Sequence, residues 1–152
     1  KIEALQFTMN HDDGNSINDI EKSDIILLGV SRTSKTPTSI YLANKGLRTS
    51  NIPLVNENSI PQLLKKKPKI TCVIGLTTEA ERLIEVRKNR MNTLKETEST
   101  DYTNIHKIKK EIEDAKKTFR KYQWPTIDMT RKSVEETAAS IIKIHEIFKN
   151  DN

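Results

Sequence analysis

The chain has 152 residues, of which 31% are charged and 34% hydrophobic, and its net charge is +5. This length suits one domain with a proper core, and the apolar runs are too short to span a bilayer. A basic chain could bind nucleic acid, but the lysines of residues 101–122 alternate with acidic residues and no aromatic residues are interleaved with them for base stacking. We therefore expect neither a nucleic-acid partner nor a membrane partner.

The first 22 residues predict a helix followed by a polar loop, which contains His11-Asp12-Asp13-Gly14. Because the chain begins with Lys1 rather than Met, we expect it to be a fragment whose N-terminal part is missing. On this interpretation residues 1–22 are the tail of that missing region, and residues 23–152 form a separate nucleotide-binding domain. Cys72 lies in an apolar stretch and is the single cysteine, which predicts a packing role and a reducing, cytoplasmic setting.

Apolar runs and capping residues divide the rest of the chain into alternating strands and helices. Strands are predicted at 24–29, 52–55, 70–76 and 124–129, and helices at 35–47, 60–64, 77–91, 102–122 and from 133 onwards. Ser133 and Glu136 have the spacing of a capping box at the start of the last helix. Such alternation predicts an α/β fold, with a mostly parallel sheet covered by helices on both faces.

The segment between the first strand and its helix has the pattern of a phosphate-binding loop, or P-loop. In the template G-x-x-x-x-G-K-[ST], Gly29, Lys35 and Thr36 stand at the right spacing, whereas Ser34 occupies the second glycine position. Backbone N–H groups and a helix N-terminus at such a loop bind an anion, and the lysine adds a positive charge. The residues alone leave open a second interpretation, an ordinary polar loop capped by Ser and Thr.

The segment Gly29–Ala43 resembles the nucleotide-binding segment of the pyruvate, phosphate dikinase regulatory proteins, a family that includes the phosphoenolpyruvate synthase regulators. Further blocks that agree in order and spacing are His11–Gly14, Gly75–Thr77 with Glu81–Leu83, Arg87 and Arg90, and Ile127–Arg131 with Ser133–Ala138. The resemblance implies a P-loop kinase-like fold and a bifunctional enzyme. Such an enzyme uses ADP to phosphorylate a threonine of the dikinase or the synthase, and this phosphorylation inactivates the target. It restores activity by transferring that phosphate to inorganic phosphate, which gives pyrophosphate.

Most of the candidate site residues belong to this loop. We expect Lys35 to contact the terminal phosphate of the nucleotide and Thr36 to offer its hydroxyl to Mg²⁺. The remaining residues of the anion-binding segment are Gly29, Val30, Ser31, Arg32, Thr33 and Ser34.

A second group of candidates is acidic. Asp12 or Asp13 could orient the acceptor threonine and accept its proton, or ligate magnesium. Asp-Asp-Gly is also a common composition for a solvated turn.

Arginines form the third group. Arg87 and Arg90 are one helical turn apart and could clamp phosphate oxygens, or they could lie on a surface face with Glu81 and Glu85 as partners. Arg131, in the loop before the last helix, could lie near a nucleotide base or phosphate.

Two other functions remain open at this stage: a P-loop kinase of a small metabolite, and a binding module that uses the basic surface. A homodimer could form through the long charged helix of residues 102–122.

Overall fold

The structure, a computed structural model, describes residues 2–11, 17–30, 35–54, 59–66, 70–94 and 105–151, with the backbone alone for 17–19, 88–94 and 151. Strands and helices alternate after an N-terminal helix and a short 3-10 helix, Ile17–Lys22. The strands are β1 (Ile25–Gly29), β2 (Thr49–Pro53), β3 (Cys72–Thr77) and β4 (Thr126–Asp128). The helices are α1 (Ile2–Asn10), α2 (Lys35–Asn44), α3 (Gln62–Lys66), α4 (Ala80–Leu94), α5 (Ile105–Lys121) and α6 (Val134–Asp151).

The four strands form one parallel sheet in the order β2-β1-β3-β4, which confirms the predicted α/β fold. The chain leaves β1 towards β2 on one side, and then crosses back past β1 to reach β3 on the other side. Parallel strands end at a common edge, and ligands bind α/β sheets outside the point where the strand order reverses. In this protein that point lies between the carboxyl ends of β1 and β3.

Helices cover both faces of the sheet because successive strand residues point to opposite sides. Ile26 and Leu28 of β1 pack on the first face with residues of α3, α4 and α5, and this face includes Phe119 and Trp124. Ile25 and Leu27 pack on the second face with residues of α2 and α6. Cys72 is buried on the second face, where desolvation raises the pKa of its thiol to about 11. The thiol is therefore uncharged at neutral pH, in agreement with a packing role.

The predicted bounds of the second strand are wrong: β2 covers Thr49–Pro53 rather than 52–55. Its first three residues, Thr49, Ser50 and Asn51, are polar yet fully buried, so they lack the apolar signal of a buried strand. Their hydrogen bonds compensate. The Thr49 N–H donates to Thr8 Oγ1 on α1 (3.1 Å), and the Asn51 N–H donates to the His11 carbonyl (3.3 Å). Helix α1 and the residue that follows it thus satisfy the outer edge of β2.

Two helix ends agree with the sequence. Gly46 has φ +88°, and the Leu47 N–H donates to the Leu42 carbonyl (3.1 Å), which is the Schellman pattern that ends α2. At the start of α6, the Ser133 N–H donates to Glu136 Oε1 (3.3 Å) and the Glu136 N–H donates to Ser133 Oγ (3.1 Å). The predicted capping box is therefore confirmed.

Candidate active site

The candidate site lies at the carboxyl edge of the sheet, where β1 leads into α2. Gly29 is the last residue of β1 and is buried. Its carbonyl accepts a hydrogen bond from the N–H of Leu54 (2.8 Å), which follows β2. Lys35 is the first residue of α2, and Pro37 occupies the first turn, where its missing N–H costs no helical hydrogen bond. The loop pattern thus spans a strand end and a helix start. Residues Ser31, Arg32, Thr33 and Ser34 lie outside the described part of the chain.

Lys35 is the most informative side chain at this edge. It is 5% exposed, and its Nζ donates a hydrogen bond to the carbonyl of Val30 (3.0 Å). Because Val30 and Lys35 bracket residues 31–34, this contact places the ammonium group beside the two ends of the predicted loop. A buried ammonium is costly without negative or polar partners. Its position at a helix N-terminus, where the peptide dipoles favour anions, fits an anionic ligand.

Thr36 follows in the first turn of α2 and is half-buried. Its carbonyl accepts a hydrogen bond from Ser39 Oγ (2.9 Å), and Ser39 Oγ in turn accepts one from Asn51 Nδ2 (3.3 Å). The assignment of Thr36 to magnesium stays a prediction. Within the described ranges, no group of three or more His, Cys, Asp or Glu side chains is arranged to hold a metal ion.

The acidic candidates Asp12 and Asp13 lie outside the described residues, whereas His11 is the last described residue before them. The His11 ring stacks on Phe7, with ring centroids 3.8 Å apart, and its Nδ1–H donates to the Phe7 carbonyl (2.7 Å). His11 is 5% exposed. The chain therefore enters the His11–Gly14 segment from a fixed position beside β2.

Arg87 is placed differently from both sequence interpretations. It is 1% exposed, and its Nη1 donates to Glu111 Oε2 on α5 (2.9 Å), so it links α4 to α5 across the first face. The surface partner Glu85 pairs instead with Arg82, at 3.2 Å. The side chain of Arg90 lies outside the described part. A phosphate-binding role for Arg87 and Arg90 stays a prediction.

A groove of about 580 Å³ lies at the same edge of the sheet, between the start of α4 and the loop that follows β4. Its lining combines apolar and polar side chains, among them Leu83, Val86, Met129, Thr78, Thr130 and Arg131. Thr130 joins the two walls: the Glu79 N–H donates to Thr130 Oγ1 (2.9 Å), and the Thr130 hydroxyl donates to Asp128 Oδ1 (2.5 Å). Arg131 lines this groove, and its place near a nucleotide base or phosphate stays a prediction.

Asp128 closes this connection at the end of β4. Burial alone would raise the pKa of Asp128, but the hydrogen bonds from Thr130 and the charges of Lys116 and Lys132 lower it below its ordinary value. Its carboxylate is therefore ionised at neutral pH and accepts both the N–H (2.9 Å) and the hydroxyl of Thr130. These contacts hold the loop after β4 against the start of α4.

Sequence reasoning missed Ser39 and Asn51, which join the two candidate segments, and Thr130, which shapes the groove. Ser39 and Thr130 fell inside the blocks of resemblance, yet nothing distinguished them from other hydroxyl residues. Asn51 had a usable signal, since a polar side chain next to apolar residues near a strand is a candidate for a buried hydrogen bond.

None of the helices in the described ranges has the length and apolar character needed to cross a membrane.

Comparison with known proteins identifies the family to which the chain belongs. The profile of the kinase/pyrophosphorylase family matches residues 1–142. The chain is 74% identical over 151 residues to a Pelagibacter ubique protein provisionally named a pyruvate, phosphate dikinase regulatory protein; the match covers 99% of this chain and 55% of that protein. Relatives with the same name are 51% identical in Wolbachia of Brugia malayi (94% of this chain, 52% of the relative) and 47% identical in Caulobacter vibrioides (95% and 45%).

The chain thus spans about half the length of the curated relatives that it matches. The matched region includes the β1–α2 segment with Lys35, the His11–Gly14 segment and the groove at the end of β4. The family model covers residues 1–142 and leaves out the second half of α6. On this evidence the chain belongs to the kinase/pyrophosphorylase family.

Proposed function

We propose that this chain carries the phosphoryl-transfer site of a bifunctional regulator of pyruvate, phosphate dikinase or of phosphoenolpyruvate synthase. The observation that carries the proposal is Lys35, a buried ammonium group at the start of α2 and at the switch point of a parallel sheet. Membership of the kinase/pyrophosphorylase family supports both directions of transfer. The name shared by the relatives supports the dikinase as the protein substrate.

In the inactivating direction, the threonine oxygen of the target forms a bond to the β-phosphorus of ADP. The bond from that phosphorus to the bridging oxygen breaks, and AMP leaves. In the activating direction, an oxygen of inorganic phosphate attacks the phosphothreonine phosphorus, and the threonine oxygen leaves and takes a proton, so that pyrophosphate forms. Both reactions concentrate negative charge on the transferred group. Lys35 and the N-terminus of α2 would stabilise that charge.

Other residues of the chain have parts in this scheme. Asp12 or Asp13 would accept the threonine proton in one direction and return it in the other. Mg²⁺, held with the Thr36 hydroxyl, would neutralise phosphate charge when bound. We assign the nucleoside part of ADP to the groove between α4 and the loop after β4, because its apolar wall of Val86 and Met129 suits a flat ring and its polar groups suit hydrogen bonding.

The test uses the full natural form of the protein with purified dikinase, Mg²⁺ and ADP labelled at the β-phosphate. We expect label on a dikinase threonine, and release of pyrophosphate when phosphorylated dikinase is given inorganic phosphate. Lys35→Ala should lower both rates by about 100-fold or more, because it removes a positive charge from the transferred phosphate. Lys45→Ala is the matched control, since Lys45 is exposed just beyond the end of the same helix. The assay is repeated with purified phosphoenolpyruvate synthase, and the absence of label on both enzymes would exclude the proposal.

The same assay separates the alternatives. Phosphorylation of a small metabolite from ATP, with no label on the dikinase, would identify a P-loop metabolite kinase. Salt-sensitive binding to DNA or RNA, with no nucleotide affinity in calorimetry, would identify a binding module instead.

A further inference from the structure

Asn51 is an unusual residue for its position. It lies in the middle of β2, is 0% exposed, and pairs in register with Leu27, which belongs to the apolar cluster of the second face. A strand position buried this deeply normally carries an aliphatic side chain. A buried amide costs stability unless its hydrogen bonds are made. The partners of Asn51 therefore indicate what the residue does.

Two hydrogen-bond partners of Asn51 belong to the segments that the proposed function requires. The Asn51 N–H donates to the His11 carbonyl (3.3 Å), immediately before the acidic pair. The side-chain Nδ2 donates to Ser39 Oγ (3.3 Å), and Ser39 Oγ donates to the Thr36 carbonyl (2.9 Å) in the first turn of α2. Both side chains, Asn51 and Ser39, are 0% exposed. One buried residue thus joins the start of the His11–Gly14 segment to the end of the phosphate-binding segment.

The His11 end of this connection is held firmly. One helical turn before His11, Thr8 Oγ1 accepts the N–H of Thr49, so α1 and its end meet β2 at two successive outward-facing N–H groups. Stacking of His11 on Phe7 fixes the ring. The contacts of α1 with α2 and β2 fix the end of this helix relative to the sheet. The Asn51 side chain then fixes α2 against the same strand.

We propose that Asn51 is a positioning residue, which holds the first turn of α2, with Lys35 and Thr36, at a fixed place relative to His11 at the end of α1. The inference rests on the proposed function. Phosphoryl transfer needs the acceptor oxygen, its base and the phosphate in line, and a misplacement of about 1 Å can cost about 100-fold in rate. In this scheme Asn51 acts on the site through Ser39 and the backbone of α2. Its effect should therefore appear in kcat and not in ADP binding.

Asn51→Leu is the first test, because leucine has a similar volume and cannot donate to Ser39. Ser50→Ala is the matched control: Ser50 is the neighbouring buried residue of β2, and its hydroxyl bonds to Ser23 (2.6 Å) at the opposite, amino edge of the sheet. We expect both variants to lower the melting temperature by similar amounts. Asn51→Leu should lower kcat for dikinase phosphorylation by about 10- to 100-fold with KM for ADP within about threefold, whereas Ser50→Ala should keep kcat.

Ser39→Ala provides a second variant that breaks the same connection from the helix side. We expect it to lower kcat by about 3- to 10-fold, and the double variant with Asn51→Leu to be no slower than Asn51→Leu alone, since both changes remove one link. The inference is overturned if kcat of Asn51→Leu and Ser39→Ala equals that of Ser50→Ala, or if the double variant is slower by the product of the two single effects. A wild-type protein that transfers no phosphate from ADP would instead overturn the proposed function and this inference with it.

Discussion

The two faces of the sheet differ in the kinds of residues that they bury. The first face, under α3, α4 and α5, is a continuous apolar cluster that contains the aromatic residues Phe119 and Trp124. The second face, under α2 and α6, also has an apolar centre but buries a set of polar residues around it: Thr38, Ser39, Thr49, Asn51 and Thr137. Among the described residues, the Oγ1 atoms of Thr38 and Thr137 are buried without a hydrogen-bond partner.

The difference separates stability from function. Apolar packing supplies most of the folding free energy, whereas buried polar groups cost stability unless they are fully paired. The second face buries such polar groups along α2, which carries Lys35, and along β2, which carries Asn51. Natural proteins break local rules of this kind mainly at functional sites. The comparison therefore predicts that changes on the first face act mainly on stability, and that changes on the second face act on activity as well.

The largest effect on stability is expected from Gly75→Ala on the first face. A Cβ at Gly75 would overlap two carbons of the Phe119 ring, which cannot move far inside the cluster. We expect a loss of about 3 kcal/mol in the free energy of unfolding, measured by urea denaturation. In the matched variant Gly46→Ala nothing lies within 4 Å of the new Cβ, and the strain of φ +88° should cost about 1 kcal/mol. Equal losses in the two variants would contradict the tight packing of Gly75 on Phe119.

Glu111→Ala tests the ion pair of the buried Arg87 with Glu111, which is a polar contact on the otherwise apolar first face. It removes a carboxylate that pairs with the Arg87 guanidinium, which is 1% exposed, and should cost about 1–3 kcal/mol in the free energy of unfolding. Glu85→Ala breaks the exposed pair with Arg82 and should cost less than about 0.5 kcal/mol. A loss of phosphoryl transfer in Glu111→Ala at unchanged stability would show that Arg87 serves the site rather than the packing of α4 on α5.

Thr8→Val probes the polar edge of β2. Valine keeps the shape of Thr8 but cannot accept the Thr49 N–H, which is left buried and unpaired, at a cost of about 1–2 kcal/mol. The control is Thr118→Val, whose hydroxyl only donates back to the Asp114 carbonyl on an exposed helix surface. Thermal unfolding of both variants measures the difference. If Thr8→Val is as stable as Thr118→Val, water or another group replaces the lost acceptor and α1 does not hold this edge.

The first face could be predicted from the sequence, and the second only in part. The apolar runs of β1 and β3 located both strands to within two residues, and the Ser133–Glu136 spacing located the start of α6. The start of β2 was missed because Thr49, Ser50 and Asn51 make hydrogen bonds to residues distant in the chain, namely Thr8, Ser23 and Ser39, and hydrophobic periodicity cannot report such partners.

The candidate site shows the same limit. The loop pattern placed Lys35 at the start of a helix, because that pattern depends on residues close together in the chain. The pairing of Arg87 with Glu111 joins residues 24 positions apart on two helices, and the sequence offered Glu81 and Glu85 as nearer partners. Local spacing predicts contacts within a helix, but it carries no information about which helix packs alongside.

The smallest effect is expected from a titration on the second face. His145 of α6 is 8% exposed, and desolvation lowers its pKa below the ordinary value of 6.5, with a further lowering from Lys149 that is opposed by Asp24 and Glu146. The unfolded chain therefore binds a proton at a higher pH than the folded chain does. The contribution of His145 to the free energy of unfolding should be complete above about pH 6.5 and should decline as the pH falls below that value.

Urea denaturation between pH 7.5 and 5.5 (about the range in which histidine titrates) measures this decline, and His145→Gln should make it shallower. Glutamine carries no titrating proton, so the part of the slope due to His145 disappears while the carboxylates contribute as before. An identical slope in the variant would mean that His145 binds a proton as readily in the folded protein as in the unfolded chain. In that case α6 would lie less closely against the amino end of β1 near Asp24, and the second face would be more open to water than the first.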